Sequence, residues 1–84
     1  MFEVVLERSV IRQLSKLEPI DRDRILGKIR RLGANPRPSG VRKITGSRQD
    51  WRLRVGSYRV IYEIDETSEI VRIMRVRHRK DAYR

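Results

Sequence analysis

The sequence predicts an α+β fold in one domain spanning residues 1–84: an N-terminal strand, an antiparallel helix pair, then a mainly antiparallel sheet of three to four strands. Three observations point there. Apolar residues recur at helical spacing between Val10 and Leu32. After Pro38 the period changes to two. Gly56-Ser57 then interrupts the alternation as a two-residue loop with glycine first, the signal of a type II′ hairpin. A chain of 84 residues buries only a little over about 60% of its unfolded surface, so helices and strands must share one small core.

In chain order, Phe2–Glu7 alternates as a short strand. Ser9 is the expected N-cap of a first helix, with Val10, Ile11, Leu14 and Leu17 at helical spacing. Pro19 suits the first position of a second helix, whose apolar stripe is Ile25, Ile29 and Leu32. Asp21 and Asp23 lie near the positive end of its dipole. Gly33 is the expected C-cap, and Pro36 and Pro38 stop the helix from resuming. Asn35–Gly40 is a loop and Val41–Thr45 a weak strand. Trp51–Val55 and Tyr58–Ile64 are strong strands, Asp65–Ser68 is a turn, and Ile70–Val76 is a third strong strand. The tail, Arg77–Arg84, is polar and basic.

Charge is the dominant compositional feature. Twenty-one Lys+Arg oppose 11 Asp+Glu, for a net +10. Only Lys16, Lys28, Lys43 and Lys80 are lysine; the other 17 cations are arginine, whose planar fork suits phosphate. Such a charge works against compaction unless a polyanionic partner neutralises it. The chain has no cysteine and one histidine, which excludes disulfides and argues against a zinc site. No apolar run approaches a membrane span, no signal-peptide pattern is present, and the cations are not gathered on one amphipathic helix. The expected location is therefore cytoplasmic, with no membrane partner and no cofactor.

The hairpin loop sets a register in which Arg54 faces Arg59, Leu53 faces Val60, Arg52 faces Ile61 and Trp51 faces Tyr62. Trp51, Leu53, Val55, Tyr58, Val60 and Tyr62 share the core face. Arg52, Arg54, Arg59, Ile61 and Glu63 share the other. Like charges directly opposed destabilise a sheet, so the Arg54–Arg59 pair marks an anion site. The competing structural reading makes Glu63 the counter-ion of the arginines. If the second hairpin closes with Tyr62 opposite Val71, Ile70 and Met74 join Ile61 on the arginine face, and Arg75 falls awkwardly on the core side.

The string from Trp51 to Ile64, with Arg54-Val-Gly-Ser-Tyr-Arg-Val-Ile-Tyr62 at its centre, is followed by His78-Arg-Lys-Asp-Ala-Tyr83. Together they closely resemble the RelE branch of the RelE/ParE toxin superfamily. The resemblance extends over essentially the whole chain, including the Leu17-Glu-Pro19 junction and the Asn35-Pro-Arg-Pro38 loop.

The resemblance implies the toxin of a type II toxin–antitoxin module, a ribosome-dependent endonuclease that cuts mRNA in the ribosomal A site without a metal. The ribose 2′-hydroxyl attacks the adjacent phosphate, the 5′-oxygen leaves, and a 2′,3′-cyclic phosphate remains. The implied partners are the ribosome, its mRNA and a RelB-like antitoxin, in a higher heteromer. By position in the motif, Arg59 and Arg79 fall to the scissile phosphate, Arg52 and Arg54 to the phosphate and transition state, and Tyr83 to base stacking or proton transfer. One well-known family pattern has lysines where this chain has Arg52 and Arg54. Arginine stays protonated, which leaves His78, Tyr83 and Glu63 as candidates for the base. A ParE-like inhibitor of DNA gyrase, or a degenerate toxin that only binds its antitoxin, are the other functions compatible with the resemblance.

Overall fold

The computed structural model describes residues 1–46 and 50–80. Its elements in chain order are β1 (Glu3–Leu6), α1 (Arg8–Ser15), α2 (Pro19–Arg31), β2 (Arg42–Lys43), β3 (Asp50–Val55), β4 (Tyr58–Asp65) and β5 (Ile70–His78). The strands form one sheet in the order β1-β5-β4-β3-β2. The four strands after the helices pair antiparallel. β1 joins the same sheet parallel to β5, with Glu3 opposite Ile70 and Leu6 opposite Ile73, which brings the count to five.

Local chemistry explains most boundaries. Pro19 occupies the first turn of α2, where its missing N–H costs nothing. Glu7, not Ser9, is the N-cap of α1, and its carbonyl accepts from Val10 and Ile11 N–H. Ser9 lies inside the helix because β1 runs into α1 with one intervening residue, so the chain turns earlier than a serine cap would place it. Gly33 follows α2 but does not take a left-handed φ. Its role is close approach: a Cβ there would sit 3.0 Å from the Phe2 carbonyl oxygen. The Phe2 N–H donates to the Gly33 carbonyl at 2.8 Å, tying β1 to the end of α2. Gly56 has φ +58 while Ser57 does not have positive φ, the combination a type II′ hairpin requires.

The core lies between the helices and one face of the sheet. Val10 and Leu14 of α1, and Ile25, Ile29 and Leu32 from α2 and its end, pack with Leu53, Val55, Val60, Tyr62, Ile64, Val71, Ile73 and Val76. Each fully buried aliphatic side chain contributes roughly 1.5–3 kcal/mol. Ile11 does not join them; it is 57% exposed, one residue off the Val10–Leu14–Leu17 line. The buried Tyr62 hydroxyl donates to the Pro36 carbonyl at 2.6 Å, and burial pushes its pKa up to about 12. Arg37 holds the same loop from outside: its guanidinium lies 5.1 Å from the Trp51 ring centroid and pairs with Glu66 at 2.6 Å. Trp51, Tyr58 and Tyr62 all belong to or pack against the core, as the alternation predicts.

The β3–β4 register is the predicted one in every pair from Trp51–Tyr62 to Val55–Tyr58. The β4–β5 register is not. Tyr62 faces Ile73 rather than Val71, and the next pair along is Ile61 with Arg75, so Met74 is an extra residue on β5. This β-bulge reverses the alternation along the strand. Val71 and Ile73 are buried before it and Val76 after it, and Arg75 is released from the core side. Beyond the end of β1, Gln13 of α1 takes up the Val76 N–H through its Oε1 at 3.0 Å. A helix side chain thus continues the bonding that the short strand leaves off.

Candidate nucleic-acid interface

The face of the sheet away from the core is organised in rows that cross the strands. In one row Arg54 of β3 faces Arg59 of β4, which faces Arg77 of β5. In the next, Arg42 of β2 faces Arg52, which faces Ile61, which faces Arg75. In the third, Asp50 faces Glu63, which faces Arg72. Six arginines therefore occupy two adjacent rows, and the carboxylates begin only in the third. Each like-charged pair costs a sheet something comparable to the roughly 0.2–1 kcal/mol that a favourable pair contributes.

Glu63 does not act as counter-ion to the hairpin arginines. Its carboxylate accepts from Arg72 at 3.0 Å, and Arg72 also lies 3.7 Å from Glu7. These three residues form their own cluster on the third row.

Two of the clefts on the arginine rows share Arg59. One, of about 340 Å³, is lined by Arg54, Arg59 and Arg79 together with the hairpin turn Gly56–Tyr58. Arg79 reaches it because its N–H donates to the Ser57 carbonyl at 2.7 Å, which ties the end of β5 to the hairpin tip. The other, of about 390 Å³, lies over Ile61 and Met74 and is bordered by Arg52, Arg59, Arg75 and Arg77, with the carboxylate-bearing Asp50 at one edge. Arg52 and Arg59 are half-buried; Arg54, Arg75, Arg77 and Arg79 are exposed. Four of the sequence-predicted site residues, Arg52, Arg54, Arg59 and Arg79, are thus brought together.

His78 is placed elsewhere. It pairs with Tyr58 at the end of the sheet and meets that ring edge-on at 5.1 Å. Its surroundings include Asp21, Arg24 and Ile25 of α2 and Gln13 and Lys16 by α1, on the side of the helices. Its Nδ1 accepts from the Lys80 N–H at 3.2 Å. Tyr83 lies outside the described residues. Arg42, Arg75 and Arg77 are site neighbours that sequence reasoning missed. The signal was present: an arginine forced onto a core face is the mark of an unrecognised bulge.

Comparison with known proteins matches this geometry to one group. The family model described as the ParE toxin of type II toxin–antitoxin systems matches residues 4–83. A protein of Methanocaldococcus jannaschii named as a candidate toxin, RelE1, is 28% identical over 86 residues, covering 99% of this chain and 96% of that protein. The RelE–RelB complex of Pyrococcus horikoshii superimposes with a TM-score of 0.84 at 26% identity, covering 93% of this chain and 94% of that one. The toxin–antitoxin complex RelBE2 of Mycobacterium tuberculosis does so with a TM-score of 0.80 at 25% identity, covering 92% and 96%.

Proposed function

The chain belongs to the ParE toxin family of type II toxin–antitoxin systems, and we propose that it acts as a RelE-type endoribonuclease, cutting mRNA in the ribosomal A site. The observation that carries this reading is the meeting of Arg54, Arg59 and Arg79 around one cleft at the hairpin tip, backed by a second row of arginines.

In the proposed reaction the RNA 2′-hydroxyl attacks the neighbouring phosphorus. The O2′–P bond forms, the P–O5′ bond breaks, the 2′-hydroxyl proton departs and the 5′-oxygen gains one. The product is a 2′,3′-cyclic phosphate. Charge accumulates on the phosphoryl oxygens, where preorganised cationic donors stabilise it most. Arg59 and Arg79 hold the scissile phosphate, and Arg52 and Arg54 flank the transition state. Holding the nucleophile in line supplies a further part of the rate. Arginine cannot take the proton. Tyr83 is assigned to stacking or proton transfer. His78, packed on Tyr58 across the sheet, is assigned to positioning Arg79, its neighbour in sequence. Replacing His78 with phenylalanine should leave the shape of the pH–rate profile in place; a changed profile would instead identify it as the base.

The partners follow from the same reading: the ribosome with its mRNA, and a RelB-like antitoxin, in a higher heteromer; the P. horikoshii and M. tuberculosis structures are themselves toxin–antitoxin complexes. Opposed arginines on an exposed face suit an antitoxin segment rich in carboxylates. The proposed location is the cytoplasm; among the described residues no helix is long and apolar enough to cross a membrane.

A second reading, inhibition of DNA gyrase without cleavage, is favoured by the ParE description of the matching family model. Purified toxin added to stalled ribosome complexes, with the mRNA mapped by primer extension, separates the two. Cuts inside the A-site codon are expected. An intact message together with inhibited gyrase supercoiling overturns the nuclease reading.

A further inference from the structure

The two clefts that share Arg59 differ in character. The one at the hairpin tip is walled by guanidinium groups and the backbone of a tight turn. The other has an apolar floor: Ile61 and Met74, with Ile44 at the side, all half-buried and all outside the core cluster. Among the described residues, these three aliphatic side chains lie beside the arginine rows and take no part in the core cluster. The helices lie on the other side of the sheet.

We propose that this floor seats a nucleobase of the RNA whose phosphate lies in the neighbouring cleft. The inference rests on the endoribonuclease reading and specifies how the substrate is held. Arg59 lines both clefts, so a phosphate and the base of an attached nucleotide reach it from two sides. At about 390 Å³ the second cleft falls in the range of roughly 300–1,000 Å³ typical of small-ligand sites.

The chemistry of the rim selects the occupant. A base is planar, apolar on its faces and tethered to anions. It rests on aliphatic groups and the polarisable sulfur of methionine while guanidinium planes stack at its edges. A base tethered to its own phosphate uses the floor and the arginines around it at once. Phe2, Trp51, Tyr58 and Tyr62 all belong to or pack against the core. Among the described residues, what this cleft offers a base is therefore aliphatic and guanidinium contact, which tolerates any base.

The bulge builds the seat. In an unbroken β4–β5 pairing, Met74 and Arg75 would point to opposite faces. With Met74 as the extra residue, both line the same cleft, one as floor and one as rim. Met74 is thus a substrate-positioning residue on the face where alternation already placed it, and the bulge is what brings Arg75 beside it.

Methyl NMR tests the proposal directly, because Met1 is the only other methionine and serves as internal reference. The full chain is titrated with adenosine 5′-monophosphate and, separately, with ribose 5-phosphate. The nucleotide is expected to move the Met74 ε-methyl and Ile61 δ-methyl upfield by ring current, and to bind roughly tenfold more tightly than the sugar phosphate. The sugar phosphate should move the Ser57 amide but neither methyl. Met74→Ala should erase the advantage of the nucleotide and leave ribose 5-phosphate binding unchanged, whereas Met74→Leu should retain most of it. Equal affinities, with the Ser57 amide shifting and both methyls still, would overturn the base seat and leave the phosphate site standing. Upfield methyl shifts in a protein that makes no A-site cut would retain the seat and remove the nuclease. Shifts in neither titration would remove both.

Discussion

The two faces of the sheet obey opposite rules. On the helix side every buried residue is apolar or, like Tyr62, has its polar atom matched. On the other side arginine faces arginine across three strands, while Asp50 and Glu63 belong to the next row and Glu63 pairs with Arg72. The first face lowers the free energy of the folded chain. The second raises it, a cost that the proposed RNA substrate would offset. On that reading, stability and activity are separable by which way a side chain points from the same strand.

Substitutions on alternate positions should expose that separation. The largest effect is expected in the core: Ile73→Ala should destabilise by about 2–5 kcal/mol in urea unfolding. Any loss of cleavage should track the unfolded fraction. On the opposite face, Arg79→Ala should cut cleavage by roughly 10²–10³-fold, or about 3–4 kcal/mol of transition-state stabilisation, with an unchanged unfolding midpoint. Arg12→Ala on α1 should leave cleavage as it was. If Arg79→Ala stays fully active, the site is misassigned.

The core face also carries a pH signature. The Tyr62 hydroxyl, ordinarily near 10, titrates at about 12 in the folded chain. From pH 10 upward the unfolded chain releases this proton while the folded chain keeps it. The contribution is therefore complete below pH 10 and lost as pH rises toward 12, by up to about 3 kcal/mol. Tyr62→Phe should flatten that part of a stability–pH curve. A smaller effect belongs to the seam between the faces. Gln13→Ala leaves the Val76 N–H without its acceptor and should cost about 1–3 kcal/mol, read by faster amide exchange at the bulge. Smallest and opposite in sign, Arg54→Gln should stabilise the fold by about 0.2–1 kcal/mol while weakening RNA binding. Loss of stability there would mean the opposed pair is not repulsive.

Much of this was legible in the sequence. The β3–β4 register follows from one glycine in a two-residue loop, because short loops leave no slack. The α2 stripe follows from Ile25, Ile29 and Leu32, and Pro19 marks the start of that helix. The bulge was not legible, because inserting one residue changes no composition; its trace was only the awkward position of Arg75. The pairing of β1 was hidden for a different reason. Alternation shows that Phe2–Glu7 is extended but names no neighbour. Gly33 reads as a helix C-cap, yet its φ is not left-handed, and its missing side chain serves Phe2, thirty-one residues away. The grouping of Arg52, Arg54 and Arg59 could be derived from register, whereas Arg42, Arg75 and Arg77 needed the full sheet.

The parallel pairing of β1 with β5 bears on how the protein is made. The first strand to leave the ribosome waits for the last, with Glu3 opposite Ile70. Contacts that span nearly the whole sequence form late and slow the folding of a small domain. Arg75, Arg77 and Arg79 arrive on that same last strand or just after it. A growing chain thus has neither a closed sheet nor a complete arginine face until β5 has been made.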